Sequence, residues 1–139
     1  MEPGYLILDH PADLGIEACG KTLAEAFEQA ACGLTSVILD PASVRQVESR
    51  PVRIEAGDRQ QLLVRWMTEV LYLYDGLNFA PRTFRIERLS TRSLAAQVRG
   101  EPFDPGRHTV RLDVKAITYH QLRIRRRAPG YWLQVFLDI

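Results

Sequence analysis

The chain has 139 residues, 46% hydrophobic and 25% charged, with a formal net charge of +1. A chain of this length makes one domain and buries roughly 68% of its unfolded surface, so it needs neither disulfides nor a zinc staple to fold. The composition excludes an intrinsically disordered chain, and the near-neutral charge does not fit a dedicated nucleic-acid binder. No apolar run approaches the roughly 18 residues of a membrane helix. Met1-Glu2-Pro3-Gly4 is not a basic stretch followed by an apolar one, so no signal peptide is expected and the expected location is the cytosol.

In chain order, Tyr5 to Leu8 reads as a short strand, and Asp9-His10-Pro11-Ala12-Asp13 as a polar break. Leu14 to Ala18 alternates and reads as a second strand, ended by Gly20. Thr22 with Glu25 is a capping box, and the apolar spacing behind it predicts a helix from about 23 to 38. Asp40-Pro41 stops that helix. Val44 to Ala56 reads as a strand that Pro51 confines to an edge or bends. Asp58 with Gln61 starts a second amphipathic helix that runs to about 74 and closes at Asp75-Gly76. The remainder is β-like. Alternation predicts strands around Phe84 and Ile86, Leu94 to Val98, Val110 to Val114, Leu122 and Ile124, and Trp132 to Leu137. Gly100 to Gly106 reads as a turn-rich loop, and Ala128-Pro129-Gly130 as a hairpin turn. The order is that of an α+β single domain, two helices packed on largely antiparallel sheet.

GxGxxG, Walker A, HExxH and GxSxG motifs are all missing. Gly20-Lys21-Thr22 lacks the upstream glycine of a phosphate loop and reads as a strand-to-helix turn. Cys19 and Cys32 have no CxxC spacing and read as buried or half-buried free thiols. All basic residues but Lys21 and Lys115 are arginine.

Four segments carry polar chemistry. Asp9, His10 and Asp13 fall within five residues and could supply carboxylate ligands to a hard cation, or simply cap and bend the backbone. Val135 to Ile139 continues an apolar strand pattern, which predicts a docked end. Asp138 and the Ile139 α-carboxylate then bring two negative charges together, to be neutralised by a cation or by an arginine. Lys115-Ala116-Ile117-Thr118-Tyr119-His120 holds a lysine, a hydroxyl, a phenol and an imidazole. Lys115, Ile117 and Tyr119 share one strand face, with Thr118 and His120 on the other. Lys115 could hold a phosphate or could be a solvated lysine. Arg123 to Arg127 could grip RNA phosphates or an acidic protein, or could guard a solvated edge strand.

Taken in order, these segments resemble one family, archease. The match runs from Tyr5 through His10-Pro11-Ala12-Asp13-Leu14-Gly15-Ile16, then Gly20-Lys21-Thr22-Leu23 and Ala26-Phe27-Glu28. It continues with Asp58, Leu62-Leu63 and Trp66, Gly100-Glu101 before His108, Lys115 to His120, and Asp138-Ile139. Pro11 departs from the threonine more usual there, which removes a hydroxyl. The resemblance implies a small α+β protein related to the SHS2 module. It implies a cofactor of the RNA ligase RtcB, promoting guanylylation of the ligase histidine and multiple turnover in tRNA splicing and RNA repair, and broadening nucleotide use. It implies a divalent cation site (Ca²⁺, Mg²⁺ or Mn²⁺) at Asp13, Asp138 and Ile139, with Lys115 functionally required and His10, Thr118 and His120 supporting. No catalytic residue of its own is implied. A small metal-dependent phosphoesterase using the same acidic site is the alternative, and an adaptor using the Arg123 to Arg127 strip a third reading.

Overall fold

A computed structural model describes residues 2–9 and 13–139, so His10, Pro11 and Ala12 lie outside the described residues. The elements are β1 (Gly4–Asp9), β2 (Asp13–Gly20), α1 (Leu23–Ile38), β3 (Glu48–Glu55), α2 (Arg59–Asp75), β4 (Phe79–Leu89), β5 (Ser93–Pro102), β6 (Ala116–Arg127) and β7 (Gly130–Asp138). They form two antiparallel sheets, one ordered β1-β2-β7-β6 and the other β3-β5-β4. The α+β expectation holds, with the strands divided between two sheets. Among the described residues no helix is long and apolar enough to cross a membrane.

Helix α1 begins where its cap requires. The Glu25 N–H donates to Thr22 Oγ1 at 3.1 Å, and Glu25 Oε1 accepts the Lys21 N–H at 2.6 Å. The return bond of the capping box thus falls one residue earlier than the motif prescribes. Gly20-Lys21-Thr22 is the strand-to-helix turn its composition indicates. Helix α2 is capped by Asp58, whose carboxylate accepts the Gln61 N–H at 2.8 Å. Gly76 ends it with an N–H to the Tyr72 carbonyl at 2.8 Å. The left-handed residue at this end is Asn78, at φ 53°.

Helix α1 packs on β1, β2 and β7, and also on β4. Helix α2 packs on the three-stranded sheet and on β6. One core therefore serves both sheets, with Phe27, Leu34, Leu63, Trp66, Phe79 and Leu133 fully buried in it. Trp66 couples the helices: its Nε1–H donates to the Phe27 carbonyl at 2.9 Å, and its ring meets Phe84 edge-on at 6.0 Å. Cys19 and Cys32 are free and half-buried. Burial pushes the Cys32 thiol up to about 11, so it stays protonated and unreactive near neutral pH.

Three boundaries differ from the sequence reading. The strand expected from Val44 starts at Glu48, because Pro41–Ser43 forms a 3₁₀ turn that Val44 closes. Pro51 does sit on an edge strand, since β3 pairs only with β5. Gly100 to Pro102 belongs to β5 and not to the loop after it. The strand expected over Val110 to Val114 is instead a strap over the end of α1. The Arg111 N–H donates to the Ile38 carbonyl at 2.7 Å, and the Asp40 N–H to the Thr109 carbonyl at 3.0 Å. The Arg111 guanidinium also bonds the Ser36 carbonyl at 3.0 Å. The segment's polar groups are spent on carbonyls that a helix end leaves unpaired, where a cation is favoured by the dipole. Its apolar residues are accordingly not all inside: Val110 is 51% and Leu112 37% exposed, while Val114 is buried.

A buried carboxylate ties the loop after β5 to the rest. Glu101 Oε2 accepts the Arg45 N–H at 2.7 Å and meets His108 Nε2 at 2.9 Å, while Oε1 pairs with Arg107. The Arg107 hydrogen bond, then the Arg45 N–H, hold the Glu101 carboxyl down at about 2.

Two outcomes are expected. Trp66→Phe should lower unfolding stability by about 2 kcal/mol, because it removes the indole bond to the Phe27 carbonyl and leaves a void where the larger ring was buried. A shifted urea midpoint at unchanged m-value checks this. Glu101 has a depressed folded pKa, so its contribution is full above the ordinary carboxylate range near pH 4.5 and is lost as pH falls through about 2. Thermal melts between those pH values should show wild type losing stability and Glu101→Gln losing less.

Candidate functional site

The site lies at one corner of the four-stranded sheet and is built by strand register. Along β2, Leu14, Ile16 and Ala18 are buried against the core. Alternation turns Asp13, Gly15 and Glu17 to the opposite face. Strand β7 pairs so that Leu14 faces Leu137 and Ile16 faces Val135. The same register sets Asp13 opposite Asp138 and Gly15 opposite Phe136. Directly opposed residues on antiparallel strands have Cβ atoms about 5 Å apart on one face. The two carboxylates are thus held as neighbours, Asp13 half-buried and Asp138 exposed. The Ile139 side chain packs against the core, which fixes the main-chain oxygens beside them.

Strand β6 flanks β7 on its other side. Ala116 pairs with Asp138, and the Lys115 N–H donates to the Asp138 carbonyl at 2.8 Å. Lys115 is exposed, and its tie to the acidic corner is this main-chain bond. Ile117 turns inward, as its place in the alternation predicts. Thr118 pairs with Phe136, its Oγ1 donating to the Phe136 carbonyl at 3.1 Å and accepting the His120 N–H at 3.2 Å.

A bulge follows. The next register pair after Thr118–Phe136 is Arg123–Gln134, so residues 119–122 of β6 oppose a single residue of β7. Gln121 takes φ 49° within it, and its carbonyl accepts from Gln134 Nε2 at 2.9 Å. Bulges re-aim side chains. Here the His120 ring comes edge-on to Phe136, with centroids 5.8 Å apart.

Strand register therefore places six of the seven residues singled out from the sequence on neighbouring stretches of backbone at this corner: Asp13, Asp138, Ile139, Lys115, Thr118 and His120. His10 lies outside the described residues. The sequence reading did not select Phe136 or assign Gly15 its part in the floor of the site. A Cβ on Gly15 would lie 2.9 Å from Phe136 Cε2, so only glycine lets that ring lie across β2. A glycine inside a strand was the available signal, since it marks close approach.

The donors available at the corner are two carboxylates and main-chain oxygens, a set suited to a hard divalent cation and unsuited to a soft one. Among the described residues no three His, Cys, Asp or Glu side chains converge as a ready cage. Arg123 to Arg127 occupy the exposed β6 edge. The Arg127 guanidinium stacks 4.1 Å from the Trp132 ring centroid, whose Nε1–H bonds Glu17 at 2.7 Å.

Comparison with known proteins agrees with this architecture. The model of the archease protein family matches residues 5–139. The protein archease of Methanosarcina barkeri is 36% identical, covering 97% of this chain and 95% of that one. The archease of Thermococcus gammatolerans is 39% identical over 93% of each. The solution structure of Methanobacterium thermoautotrophicum protein 1598 superposes with a TM-score of 0.82, at 32% identity, over 98% of this chain and 99% of that one. A crystal structure from Thermotoga maritima, described as an archease and possible chaperone, shares the fold at a TM-score of 0.67 and 21% identity, over 95% and 94% of the two chains. With the family model matched over almost its whole length and relatives above one-third identity, this chain belongs to the archease family.

Proposed function

We propose that this protein activates an RtcB-type RNA ligase, without catalysing a reaction itself, by presenting the Asp13–Asp138 corner to the ligase active site. The observation that carries this reading is the register pairing of Asp13 with Asp138 next to Lys115. Two carboxylates fixed side by side repel unless a positive charge joins them. Asp13, Asp138 and the main-chain oxygens of Ile139 would hold a divalent cation. When bound, it would supply a positive charge able to interact with phosphate oxygens or ligase carboxylates.

The chain's own residues do the positioning. Asp13 and Asp138 set the negative charge at a sheet corner that can enter a cleft. Lys115 reaches from the same corner to a phosphate oxygen or a ligase carboxylate. Thr118 pins β6 to β7 and holds the His120 backbone, keeping the corner rigid. Guanylylation of the ligase histidine places a triphosphate in line with the nucleophile, so a rigid partner that orders charge there accelerates it by positioning. Renewed guanylylation after each ligation gives multiple turnover in tRNA splicing and RNA repair, and a reordered nucleotide pocket accommodates nucleotides besides GTP. Membership of the archease family favours an activator over a phosphoesterase. The place of action under this reading is the cytosol.

The test is multiple-turnover RNA ligation with the ligase limiting, with covalent GMP–ligase followed in the same reactions. Wild type should restore turnover, and Asp13→Asn and Lys115→Ala should each reduce the stimulation at least tenfold at unchanged circular dichroism. Full stimulation by both folded variants would overturn the reading. Phosphodiester hydrolysis by the isolated protein, abolished by Asp13→Asn, would replace it with the phosphoesterase.

A further inference from the structure

The three-stranded sheet has one face on the helices and one in solvent. Val52, Ala96, Val98 and Phe84 are buried on the inner face. The outward residues fall into three register rows: Arg53–Ala95–Arg88, Pro51–Gln97–Arg85 and Ser49–Arg99–Thr83. Each row contains a guanidinium, and Arg53, Arg85, Arg88 and Arg99 are all exposed. Successive rows lie about 6.8 Å apart along the strands, and the two arginines of the first row about 9.5 Å apart across them.

These cations are largely uncommitted. Arg85 pairs with Glu87 at 3.2 Å, and Arg99 donates to the Gln46 carbonyl at 3.0 Å. Among the described residues, Arg53 and Arg88 make no ion pair and no side-chain hydrogen bond. They flank a concavity of about 800 Å³ that Arg65 also lines. Arg65 Nη1 is anchored there on the Glu55 carbonyl at 2.7 Å. Ser90 and Ser93 also line it, together with Ile54, Leu89, Leu94 and Ala95, and Glu55 is the one carboxylate in it. A second concavity of about 490 Å³, lined by Arg85, Arg99 and Gln97 and also by Phe84 and Glu87, continues along the same face.

We propose that this outer face binds the phosphodiester backbone of a single nucleic-acid strand, running from the Arg53–Arg65–Arg88 concavity to Arg99. The chemistry selects that occupant over an acidic protein. The outward side chains between the arginines are Ala95, Pro51, Gln97, Ser49 and Thr83, and the apolar residues that reach the concavities, Ile54, Leu89, Leu94 and Phe84, pack against the core from the inner face, which leaves little apolar surface to anchor a protein partner. Guanidinium, hydroxyl and amide donors are the groups that contact phosphate and sugar. A row spacing comparable to that of successive phosphates along an extended strand gives each row its own phosphate. The one aromatic along this path, Phe84, is buried and cannot stack on a base, so the binding is sequence-tolerant and governed by salt. The face belongs to the other sheet from the Asp13 corner, and the proposal does not rest on the ligase reading.

The test is fluorescence anisotropy of a labelled single-stranded RNA of about 12 nucleotides, titrated at several salt concentrations from about 50 mM upward. Wild type should bind, with affinity falling as salt rises. Arg53→Gln/Arg88→Gln should bind at least tenfold more weakly at low salt, with a log–log salt slope shallower by about 1.4, since each single-strand phosphate contact contributes about 0.7. Both arginines are exposed and unpaired, so the variant should fold, and circular dichroism checks this. Arg123→Gln/Arg125→Gln on β6 should bind like wild type, and DNA of the same sequence should bind within about threefold of RNA. The proposal is overturned if wild type does not bind the strand at low salt. It is equally overturned if the Arg53/Arg88 variant keeps wild-type affinity, which would leave the face to an acidic protein, or if the loss follows Arg123 and Arg125 instead. Tripolyphosphate binding as tightly as the strand would make this a small-anion site and overturn it too, as would DNA binding tenfold more weakly than RNA.

Discussion

Eight residues of β2, Asp13 to Gly20, pair with eight of β7, and the remaining geometry is set by that antiparallel ladder. It joins an early strand to the last strand and places both in the middle of the four-stranded sheet. Its inner row of Leu14, Ile16 and Ala18 against Leu137, Val135 and Leu133 is the seat of α1. Fully burying one such side chain is worth about 1.5–3 kcal/mol, and a slip of one residue would turn the whole row to solvent. A like-charge pair opposed across strands costs at most about 1 kcal/mol. Burial therefore decides the register, and the Asp13–Asp138 juxtaposition is maintained by a core that is indifferent to it.

The second constraint is the bulge in β6. Between Ala116 and Thr118 that strand follows β7 in regular pairing, which carries Lys115 to Asp138. Beyond Thr118 the strand releases residues 119–122 and resumes at Arg123. Regular pairing throughout would have placed His120 opposite Gln134 by simple continuation of the register. The bulge instead turns its ring onto Phe136 and keeps it near the acidic corner. Gln121 at φ 49° is the local cost of that turn, and the Gln134 side chain supports it.

The elements that were legible in the sequence are those whose side-chain pattern and whose partner agree. Helix α1 runs over Leu23–Ile38, as its period and its cap indicate. The edge position of β3 follows from Pro51, which cannot donate to a second neighbour. Val110 to Val114 misleads because alternation reports a strand-like backbone but not what that backbone bonds to. Its N–H groups go to the end of α1, a choice made by tertiary packing. The residues of the acidic corner were legible individually through the resemblance to archease, whereas their meeting depends on strand order. Phe136 was hidden for a plainer reason: within Val135 to Leu137 it reads as one more core residue, and only pairing with Gly15 shows that it lies on the outer face.

Sheet topology also explains how a chain of net charge +1 can carry two strongly charged surfaces. Opposite charges scattered on one surface neutralise one another within a Debye length of about 10 Å. Here the carboxylates of Asp13 and Asp138 lie on the sheet β1-β2-β7-β6, and the outward arginines of Arg53, Arg85, Arg88 and Arg99 on the sheet β3-β5-β4. The helices pack against both sheets, so these two sets of charges lie on separate layers, while Arg123, Arg125, Arg126 and Arg127 share the first sheet with the carboxylates along its β6 edge. Summing charge over the sequence does not record where on the fold each charge lies. The local field at each face is what a phosphate or a cation meets on approach, and it is written in strand register and not in composition.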